Sequence, residues 1–318
     1  MPNPPPINMP VIVIGGANMD LKCRIGGSEI MATSNPGGIA LTPGGVSRNV
    51  AETLARLGLP TRLIAAIGRD ALGEALMAET GAAGVGMNSV LRGPFATGSY
   101  AAVLTRRGEL LIGVSAMDAT QRLTPLVLKG HSAQLRRARL IMADCNLPMA
   151  TLDWLVRFAA GAGVPLALET VSVPKVKRLR SILQKRQPVF ALFSNRAEIA
   201  AITGANGNSQ GGLASAARWL HDRGVQHVAI GLGAKGMYVS SATEKKRAIV
   251  PSRRRRVVDV TGAGDAAVAG TLFGLLRGFD LPRAAICGQA AAALTVASER
   301  SVSLQLSSRA LLRAIGSG

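Results

Sequence analysis

Short apolar runs alternate with amphipathic stretches along most of the chain. Val11–Ile14 is a run of four aliphatic residues that ends at Gly15 and Gly16, which predicts a buried strand followed by a turn. Other apolar runs of strand length cover residues 63–67, 140–143, 165–168, 189–193 and 228–231. Helix-like segments accompany these runs, for example at 70–80. Repeated strand and helix units predict an α/β fold with a mainly parallel central sheet and helices on both faces.

Two stretches depart from this alternation. Residues 99–105 and 109–115 flank Arg106-Arg107-Gly108, an arrangement that predicts a β-hairpin outside the parallel sheet. Residues 20–42 are rich in Gly and Ser and carry few helical signals. We expect them to pair with the hairpin, so that about 20–42 and 97–116 form a small β-sheet lid.

The composition fits an α/β interior. Apolar residues make up 48% of the 318 residues, whereas aromatic residues make up 3%, so aliphatic side chains must fill the core, as they do in helix-covered parallel sheets. No linker divides the main part of the chain, and we expect one domain over residues 10–318. The preceding Pro-rich leader, residues 1–9, is expected to be disordered.

The charge is strongly positive, with 37 Lys and Arg against 18 Asp and Glu, a formal net charge of +19. Such a charge attracts nucleic acid, anionic membrane or a phosphorylated substrate. Proteins that bind single-stranded nucleic acid interleave basic groups with aromatic platforms. Only two Trp, two Tyr and six Phe are present, so the composition disfavours nucleic-acid binding as the main function and favours a solvated basic surface.

Targeting and redox signals are absent from the sequence. The first ten residues lack the charged-then-apolar order of a signal peptide, and no apolar run approaches the ~18 residues that span a bilayer. Cys23, Cys145 and Cys287 are far apart and form no CxxC pair, which argues against a zinc site or a disulfide framework. We therefore expect a cytoplasmic protein without a membrane segment.

The most specific string is Asp259-Val260-Thr261-Gly262-Ala263-Gly264-Asp265, between an apolar strand expected to end at Val258 and a helix expected from about 266 to 276. A Gly-Ala-Gly turn at a helix start leaves backbone amides without intrahelical partners, where the helix dipole also favours an anion. The small residues allow a phosphate to approach the backbone. Asp265 on the first turn is placed to accept a proton from an attacking hydroxyl. The simpler alternative is an ordinary helix cap.

This string resembles the C-terminal signature D-T-T-G-A-G-D of the ribokinase or PfkB carbohydrate kinase family. The resemblance implies that Asp265 is the catalytic base and that Gly262, Ala263 and Gly264 form the anion hole. It also implies the ribokinase-like fold, ATP as phosphoryl donor and a small-molecule acceptor.

A second string, Thr42-Pro43-Gly44-Gly45-Val46-Ser47-Arg48-Asn49-Val50-Ala51, is similar to the N-terminal signature of the same family. It implies that Gly44, Gly45 and Asn49 hold the sugar, although the two glycines alone would also fit a plain turn into a helix. Asn18 and Asp20 match family positions that hydrogen-bond ribose hydroxyls.

Two further strings resemble the nucleotide side of the family. Asn195-Arg196-Ala197-Glu198 is similar to the N-x-x-E motif, which implies that Asn195 lies near the nucleotide and that Glu198 contacts Mg²⁺ through water. From the residues alone, the pair would also suit a helix cap. The turn with Gly231, Gly233 and Gly236 resembles the nucleotide-binding turn of the family, and alone it is a hairpin signal.

The resemblance extends to a monovalent cation. Many relatives bind one next to the anion hole, which makes Asp259 and Thr261 candidate potassium residues. The run Arg253-Arg254-Arg255-Arg256 would be able to touch ATP phosphates, but such a run more often forms a solvated surface.

Within the family, Ser34-Asn35-Pro36-Gly37, the string around Gly44, and Ala143-Asp144-Cys145-Asn146 look like pseudouridine kinases. This implies that the acceptor is the ribose 5′-hydroxyl of pseudouridine, with Asn146 near the sugar and Ser99 and Asp118 near the base. The alternatives are another nucleoside, ribose or a sugar phosphate, or an inactive relative that binds RNA. Relatives often dimerise through the lid, so a homodimer of this kind is expected.

The chain departs from that group at two places. It has Glu169-Thr170-Val171-Ser172 where these kinases tend to read D-P-V-S, and Phe193-Ser194-Asn195 where K-P-N is common. Both places lie on the expected phosphate side, so they bear on metal and nucleotide binding and not on the base or the anion hole.

Overall fold

The computed structural model of the chain describes residues 9–316. In chain order its strands are β1 (Val11–Ile14), β2 (Asn18–Ile25), β3 (Gly37–Gly44), β4 (Thr61–Ile64), β5 (Ala66–Gly68), β6 (Leu91–Gly93), β7 (Gly98–Leu104), β8 (Leu110–Ala116), β9 (Leu140–Asp144), β10 (Leu166–Glu169), β11 (Val189–Asn195), β12 (Val225–Gly231), β13 (Met237–Ser241) and β14 (Lys246–Val250). The predicted leader lies outside the described residues, except for Met9.

The helices connect and cover these strands. They are α1 (Val46–Arg56), α2 (Ala71–Ala82), α3 (Pro125–Gly130), α4 (Ser132–Arg136), α5 (Met149–Ala162), α6 (Val173–Val176), α7 (Leu179–Leu183), α8 (Arg196–Thr203), α9 (Gln210–His221), α10 (Ala263–Leu276), α11 (Leu281–Val296) and α12 (Ser308–Gly316). Short 3₁₀ turns cover Asp118–Arg122 and Gly233–Lys235. Across residues 9–316, no helix combines the length and the hydrophobicity needed to traverse a bilayer.

The central sheet has eight strands in the order β14-β13-β12-β11-β10-β9-β1-β4. The six strands from β4 to β12 in this order are parallel, and β13 and β14 add an antiparallel edge. Alternate side chains of β1 enter two different cores, because successive residues of a strand point to opposite faces. Ile12 and Ile14 pack on the side of α5, α8 and α9, and Val11 and Val13 on the side of α1, α10 and α11. The predicted α/β fold is confirmed.

Most predicted strands lie where the apolar runs are. The runs at 140–143, 165–168, 189–193 and 228–231 correspond to β9, β10, β11 and β12 within a few residues. The helix predicted at 70–80 is α2, and the Asp70 side chain accepts a hydrogen bond from the Gly73 amide at 2.7 Å as its N-cap. The run at 63–67 is divided, since β4 stays in the central sheet whereas β5 pairs with β6.

The strand expected to end at Val258 is wrong. Residues 251–258 carry no regular secondary structure, and Val257 and Val258 are 61% and 49% exposed. Four consecutive arginines cannot be accommodated inside a sheet, and Pro251 has no amide hydrogen to donate to a neighbouring strand. The helix expected from about 266 begins earlier, at Ala263.

A separate four-stranded sheet, in the order β3-β2-β7-β8, forms from the segments predicted as the lid. The hairpin of β7 and β8 is confirmed, and β2 joins it by pairing parallel to β7. In this register Asp20 lies beside Thr42 and Tyr100, and Leu21 lies beside Leu41 and Ala101. The sheet therefore has a polar face that carries Asp20 and an apolar face that carries Leu21.

Candidate active site

The signature string forms the turn that begins α10. Gly262 is the N-cap residue, with the left-handed backbone angle φ of 77°. A Cβ atom there would lie 2.0 Å from the carbonyl oxygen of Ser301. Because both the backbone angle and this contact exclude a side chain, only glycine fits the turn.

The first amides of α10 differ in their partners. The Ala263 amide donates to the Val260 carbonyl at 3.2 Å, whereas the amides of Gly264 and Asp265 make no hydrogen bond within residues 9–316. Gly264 is exposed, and no atom outside the helix lies within 4 Å of the place where its Cβ would be. The helix start thus presents unpaired amides to an open space, as an anion site requires.

That space is a cavity of about 1010 Å³. Its lining includes Ala263 and Gly264, the three glycines of the predicted nucleotide turn (Gly231, Gly233, Gly236) and apolar side chains of 257–260 and α11. Arg253, Arg254 and Arg255 also line it, and the side chains of Arg254 and Arg255 are exposed. The structure thus brings the predicted nucleotide turn and the start of α10 to one cavity, whereas Asn195 and Glu198 are not among its lining residues.

Asp265 is held by Asn49 of the other signature string. The Asn49 Nδ2 group donates to Asp265 Oδ2 at 2.7 Å. The pKa of Asp265 is raised to about 6, mainly by burial and also by the nearby carboxylates of Asp144 and Asp20, whereas the Asn49 hydrogen bond acts to lower it. The side chain is therefore mostly ionised at neutral pH and is suited to act as a general base.

Arg48 sets the orientation of Asn49. Its Nη1 group donates to Asn49 Oδ1 at 2.7 Å, which turns the Nδ2 end of the amide towards Asp265. Arg48 is 2% exposed and forms an ion pair with Glu52. Burial lowers its pKa to about 10, so it stays charged at neutral pH. Asn49, predicted to hold the sugar, thus contacts Asp265, the predicted catalytic base.

The predicted sugar residues of the lid lie against the turn before α1. Asn18 Nδ2 donates to Asp20 Oδ1 at 2.6 Å. A Cβ on Gly44 would lie 2.4 Å from Asp20 Oδ2, and one on Gly45 would lie 2.6 Å from the Gly16 carbonyl. The two glycines are therefore required because this carboxylate and this carbonyl approach so closely.

Asp144 is a site residue that the sequence analysis did not single out. It is fully buried at the end of β9. Its Oδ2 atom accepts from the Gly16 amide at 2.8 Å, the Ser47 amide at 3.1 Å and Ser47 Oγ at 2.7 Å, and its Oδ1 atom accepts from the Asn146 amide at 2.8 Å. It thereby joins the ends of β1 and β9 to the start of α1. In the sequence, only the resemblance of the string at 143–146 to other kinases drew attention to this residue.

Asn195 and Glu198 form a capping box at the start of α8. Asn195 Oδ1 accepts from the Glu198 amide at 3.0 Å, and Glu198 accepts from the Asn195 amide at 3.0 Å and from Asn195 Nδ2 at 2.7 Å. The helix cap that the sequence analysis gave as the alternative for Asn195 and Glu198 therefore accounts for the contacts between them. The Thr170 hydroxyl also donates to the buried Glu198 carboxylate.

Glu169 ends β10 next to this box. Its Oε2 atom is buried and has no hydrogen-bond partner among the described residues. Burial raises its pKa well above the usual value, and the nearby carboxylate of Asp265 adds to this effect. An unpaired carboxylate oxygen fits a hard cation such as Mg²⁺. Within residues 9–316 no group of three or more His, Cys, Asp and Glu is arranged to hold a metal alone.

Lys22 reaches from the lid to the signature string. Its Nζ group donates to Asp259 Oδ2, and the Thr261 amide donates to Asp259 Oδ1 at 2.8 Å. Burial acts to raise the pKa of Asp259, but the hydrogen bonds from Lys22 and Thr261 outweigh it and hold this pKa below the usual value. Nothing in the sequence pattern pointed to Lys22.

A second cavity, of about 790 Å³, lies between residues 91–95 and residues 118–124. Asp118 and Gln121 line it, and Gln121 Nε2 donates to the Asn146 carbonyl at 3.1 Å. Asn146 Oδ1 itself accepts from Lys175. Ser99 and Asp118 were expected near the nucleoside base. Asp118 lines this cavity, whereas Ser99 lies on β7 and is not among the lining residues.

Known proteins resemble this chain over most of its length. Residues 10–306 match the family described as pfkB family carbohydrate kinase. The chain is 34% identical over 261 residues to pseudouridine kinase of Escherichia coli (strain K12), with 82% of each chain covered. It superposes on a carbohydrate kinase from Agrobacterium tumefaciens with a TM-score of 0.83 at 32% identity, with 97% of each chain covered.

The fold is also that of a ribokinase. The structure of Arabidopsis thaliana ribokinase complexed with ribose and ATP superposes with a TM-score of 0.82 at 22% identity, covering 96% of this chain and 98% of the other. At this identity the likeness concerns the fold alone. The family match and the identity to relatives go further, and they show that this chain belongs to the pfkB family of carbohydrate kinases, ATP-dependent phosphotransferases that act on sugars or nucleosides.

Proposed function

We propose that this kinase transfers the γ-phosphoryl group of ATP to the ribose 5′-hydroxyl of pseudouridine and releases pseudouridine 5′-phosphate and ADP. The observation that carries the proposal is the position of Asp265, a carboxylate on the same helical turn as unpaired amides that face a large cavity. The pseudouridine kinase of Escherichia coli supports the choice of acceptor.

Asp265 acts as the general base. With a pKa raised by burial to about 6, it is ionised at neutral pH and accepts the proton of the 5′-hydroxyl as the oxygen attacks the γ-phosphorus in line. The new bond between oxygen and phosphorus forms as the bond to the bridging oxygen of ADP breaks. Asn49 holds Oδ2 of the carboxylate at 2.7 Å, which leaves Oδ1 for the hydroxyl.

The start of α10 stabilises the charge on the transferring group. The amides of Gly264 and Asp265 have no partner within residues 9–316, and the helix dipole adds a favourable field at the same point. Gly262 sets the turn that aims them. Ala263, which also belongs to the proposed anion hole, contributes its small side chain, since its amide donates to Val260.

The nucleotide occupies the cavity in front of this helix. The turn of Gly231, Gly233 and Gly236 and the arginines 253–255 line the same cavity as Gly264, and guanidinium groups suit phosphate oxygens. Asn195 caps α8 and positions Glu198. Glu198 and the unpaired Oε2 of Glu169 would hold Mg²⁺ and its waters. Bound Mg²⁺ would supply charge neutralisation for the phosphates.

The acceptor lies between the lid and α1. Asn18, Asp20, Gly44 and Gly45 form one cluster, which we assign to the ribose hydroxyls. The lid excludes water, a competing acceptor.

We assign the uracil ring of the nucleoside to the second cavity, whose lining residue Gln121 contacts the Asn146 carbonyl. The uracil ring of pseudouridine offers two N–H donors, at N1 and N3, because its glycosidic bond is to carbon, whereas uridine offers one. A carboxylate accepts hydrogen bonds and donates none when ionised. Asp118, which lines this cavity, therefore favours the C-nucleoside over uridine.

A panel of acceptors tests this function. ADP formation is measured with pseudouridine, uridine, guanosine, ribose and a sugar phosphate, and the product is identified by its phosphorus spectrum. We expect the highest kcat/KM with pseudouridine and phosphorylation at the 5′ position. A tenfold preference for another acceptor would assign this chain elsewhere in the family. RNA binding that falls steeply with salt, with no phosphorylation, would instead identify an inactive RNA-binding relative.

A further inference from the structure

The contacts of Asp259 do not fit the potassium role that the family resemblance implies. One carboxylate oxygen accepts from the Lys22 ammonium and the other from the Thr261 amide. A carboxylate in this position has a positive partner of its own within the chain. Its negative charge is already paired with an ammonium, and each of its oxygens already accepts one hydrogen bond.

We infer that the Lys22 ammonium supplies, as part of the protein, the positive charge that a bound monovalent cation would provide beside the anion hole, so that this kinase works without potassium. The inference rests on the proposed phosphoryl transfer, but not on the identity of the acceptor. Lys22 is a positioning residue, since it acts through Asp259.

The lid register explains how Lys22 reaches the body of the protein. Lys22 lies on β2 two residues after Asp20, so it shares the polar face of the lid sheet. Its neighbours across the sheet are Ala40 on β3 and Ala102 on β7. These small side chains leave the long Lys22 side chain free to extend from the sheet to Asp259.

The contact is sheltered and acts on the catalytic turn. The side chains of Lys22 and Asp259 are 20% and 25% exposed, so water screens the pair less than it screens a surface ion pair. Asp259 Oδ1 holds the amide of Thr261, the residue before Gly262. The Lys22 ammonium therefore fixes the Asp259 carboxylate, and this carboxylate fixes the backbone just before the proposed anion hole.

Removal of Lys22 would expose a set of oxygen ligands. In Lys22→Met, Asp259 keeps its charge but loses its cation. Ser301, whose carbonyl packs against Gly262, has a buried hydroxyl without a hydrogen-bond partner in the described part of the chain. Carboxylate, carbonyl and hydroxyl oxygens are ligands that hard cations prefer. We therefore expect K⁺ to substitute for the lost ammonium in this variant.

The experiment compares nucleotide binding in two salts. The affinity for a non-hydrolysable ATP analogue and the thermal midpoint are measured in potassium chloride and in choline chloride at equal ionic strength. Wild type, Lys22→Arg and Lys22→Met are compared with Lys246→Met. That control removes an ammonium from the exposed ion pair with Asp280, whose two side chains are 56% and 40% exposed.

Only Lys22→Met is expected to respond to the cation. Its analogue affinity should be lower than that of wild type in choline and rise by roughly fivefold or more in potassium, with a parallel rise in the thermal midpoint. Wild type, Lys22→Arg and Lys246→Met should behave alike in both salts.

Three results would overturn the inference. They are a wild type that binds the analogue several-fold better in potassium, a Lys22→Met variant equal to wild type in both salts, and a Lys22→Met variant impaired equally in both. Because the readout is nucleotide binding, a different acceptor leaves the result unchanged. A wild type that binds no nucleotide in either salt would overturn the proposed function as well.

Discussion

The chemistry of Asp265 depends on a line of side chains behind it. Glu52 pairs with Arg48, Arg48 donates to Asn49, and Asn49 donates to Asp265 at 2.7 Å. Each contact fixes the orientation of the next group. The side chain of Asp265, the proposed base, is therefore fixed both by the first turn of α10 and by a hydrogen bond from α1.

The pH dependence of the reaction should report this arrangement. A base must be deprotonated to act, so kcat/KM should rise with pH through an apparent pKa of about 6 and then level off. A hydrogen bond to a carboxylate favours its ionised form. Asn49→Ala removes such a bond, so the pKa of Asp265 should increase and the midpoint should move to higher pH.

The surface variant Asn208→Ala is the control, because Asn208 is exposed and lies outside the site. Its profile should match that of wild type. An Asn49→Ala profile with an unshifted midpoint would contradict the assignment of Asp265 as the titrating base.

The sequence predicted candidate site residues that stand together in one short string, and it gave no signal for contacts between residues far apart in the chain. Asp265 and the three residues before it stand in one string, so the helix start was readable. Ser47 and Asp144 are 97 residues apart, and Lys22 and Asp259 are 237 apart. A single sequence contains no signal for such pairs, because only the fold brings them together.

At the scale of elements, the two glycines at the start of α10 differ in whether a side chain would fit. A Cβ on Gly262 would lie 2.0 Å from Ser301, at a φ of 77°, whereas a Cβ on Gly264 would meet nothing within 4 Å. Gly262→Ala should therefore lower the free energy of unfolding by about 2 kcal/mol or more, since strain and overlap add. Urea unfolding measures this loss.

Gly264→Ala is the matched variant. Alanine is favourable inside a helix, so stability should be unchanged or slightly increased. Its methyl group would lie on the cavity face of the helix, at the proposed anion site, so the turnover of ATP should fall. Equal losses of stability in the two variants would contradict the geometry of the turn.

The strands were predictable from the sequence where an uninterrupted aliphatic run marked them. Buried parallel strands are continuous aliphatic runs, and β1, β9, β10, β11 and β12 were found on that basis. The run at 63–67 gave no sign that the Ala65 carbonyl accepts a hydrogen bond from the Leu91 amide, at 2.8 Å, outside the central sheet. Val257 and Val258 resembled the end of a strand, yet both side chains are exposed, and Val257 lines the cavity in front of α10.

At the scale of the molecule, the lid has an apolar face that the described residues leave uncovered. Its register places Leu21, Cys23, Ile39, Leu41, Ala101, Val103, Ile112 and Val114 on one side. Ile39 is 71% exposed, and Ile112 and Val114 are each 60% exposed. Exposed apolar patches of this kind mark interaction surfaces. A second copy can cover the face by two-fold pairing with its own.

We predict a homodimer formed through this face. Ile39→Lys and Val114→Lys should produce monomers, because each would bury an unpaired charge in the interface. Leu126→Lys is the control, since Leu126 is 78% exposed on α3, outside the lid. Sedimentation velocity measures the mass. A monomeric wild type, or a dimer in all three variants, would contradict this arrangement.

The turnover of Asp265→Ala with the preferred acceptor is the most direct test of the account. We expect kcat to fall by several orders of magnitude, while the thermal midpoint and the affinity for an ATP analogue stay close to those of wild type. That result would place the loss in proton transfer. Turnover near the wild-type rate would contradict Asp265 as the base and, with it, the proposed mechanism.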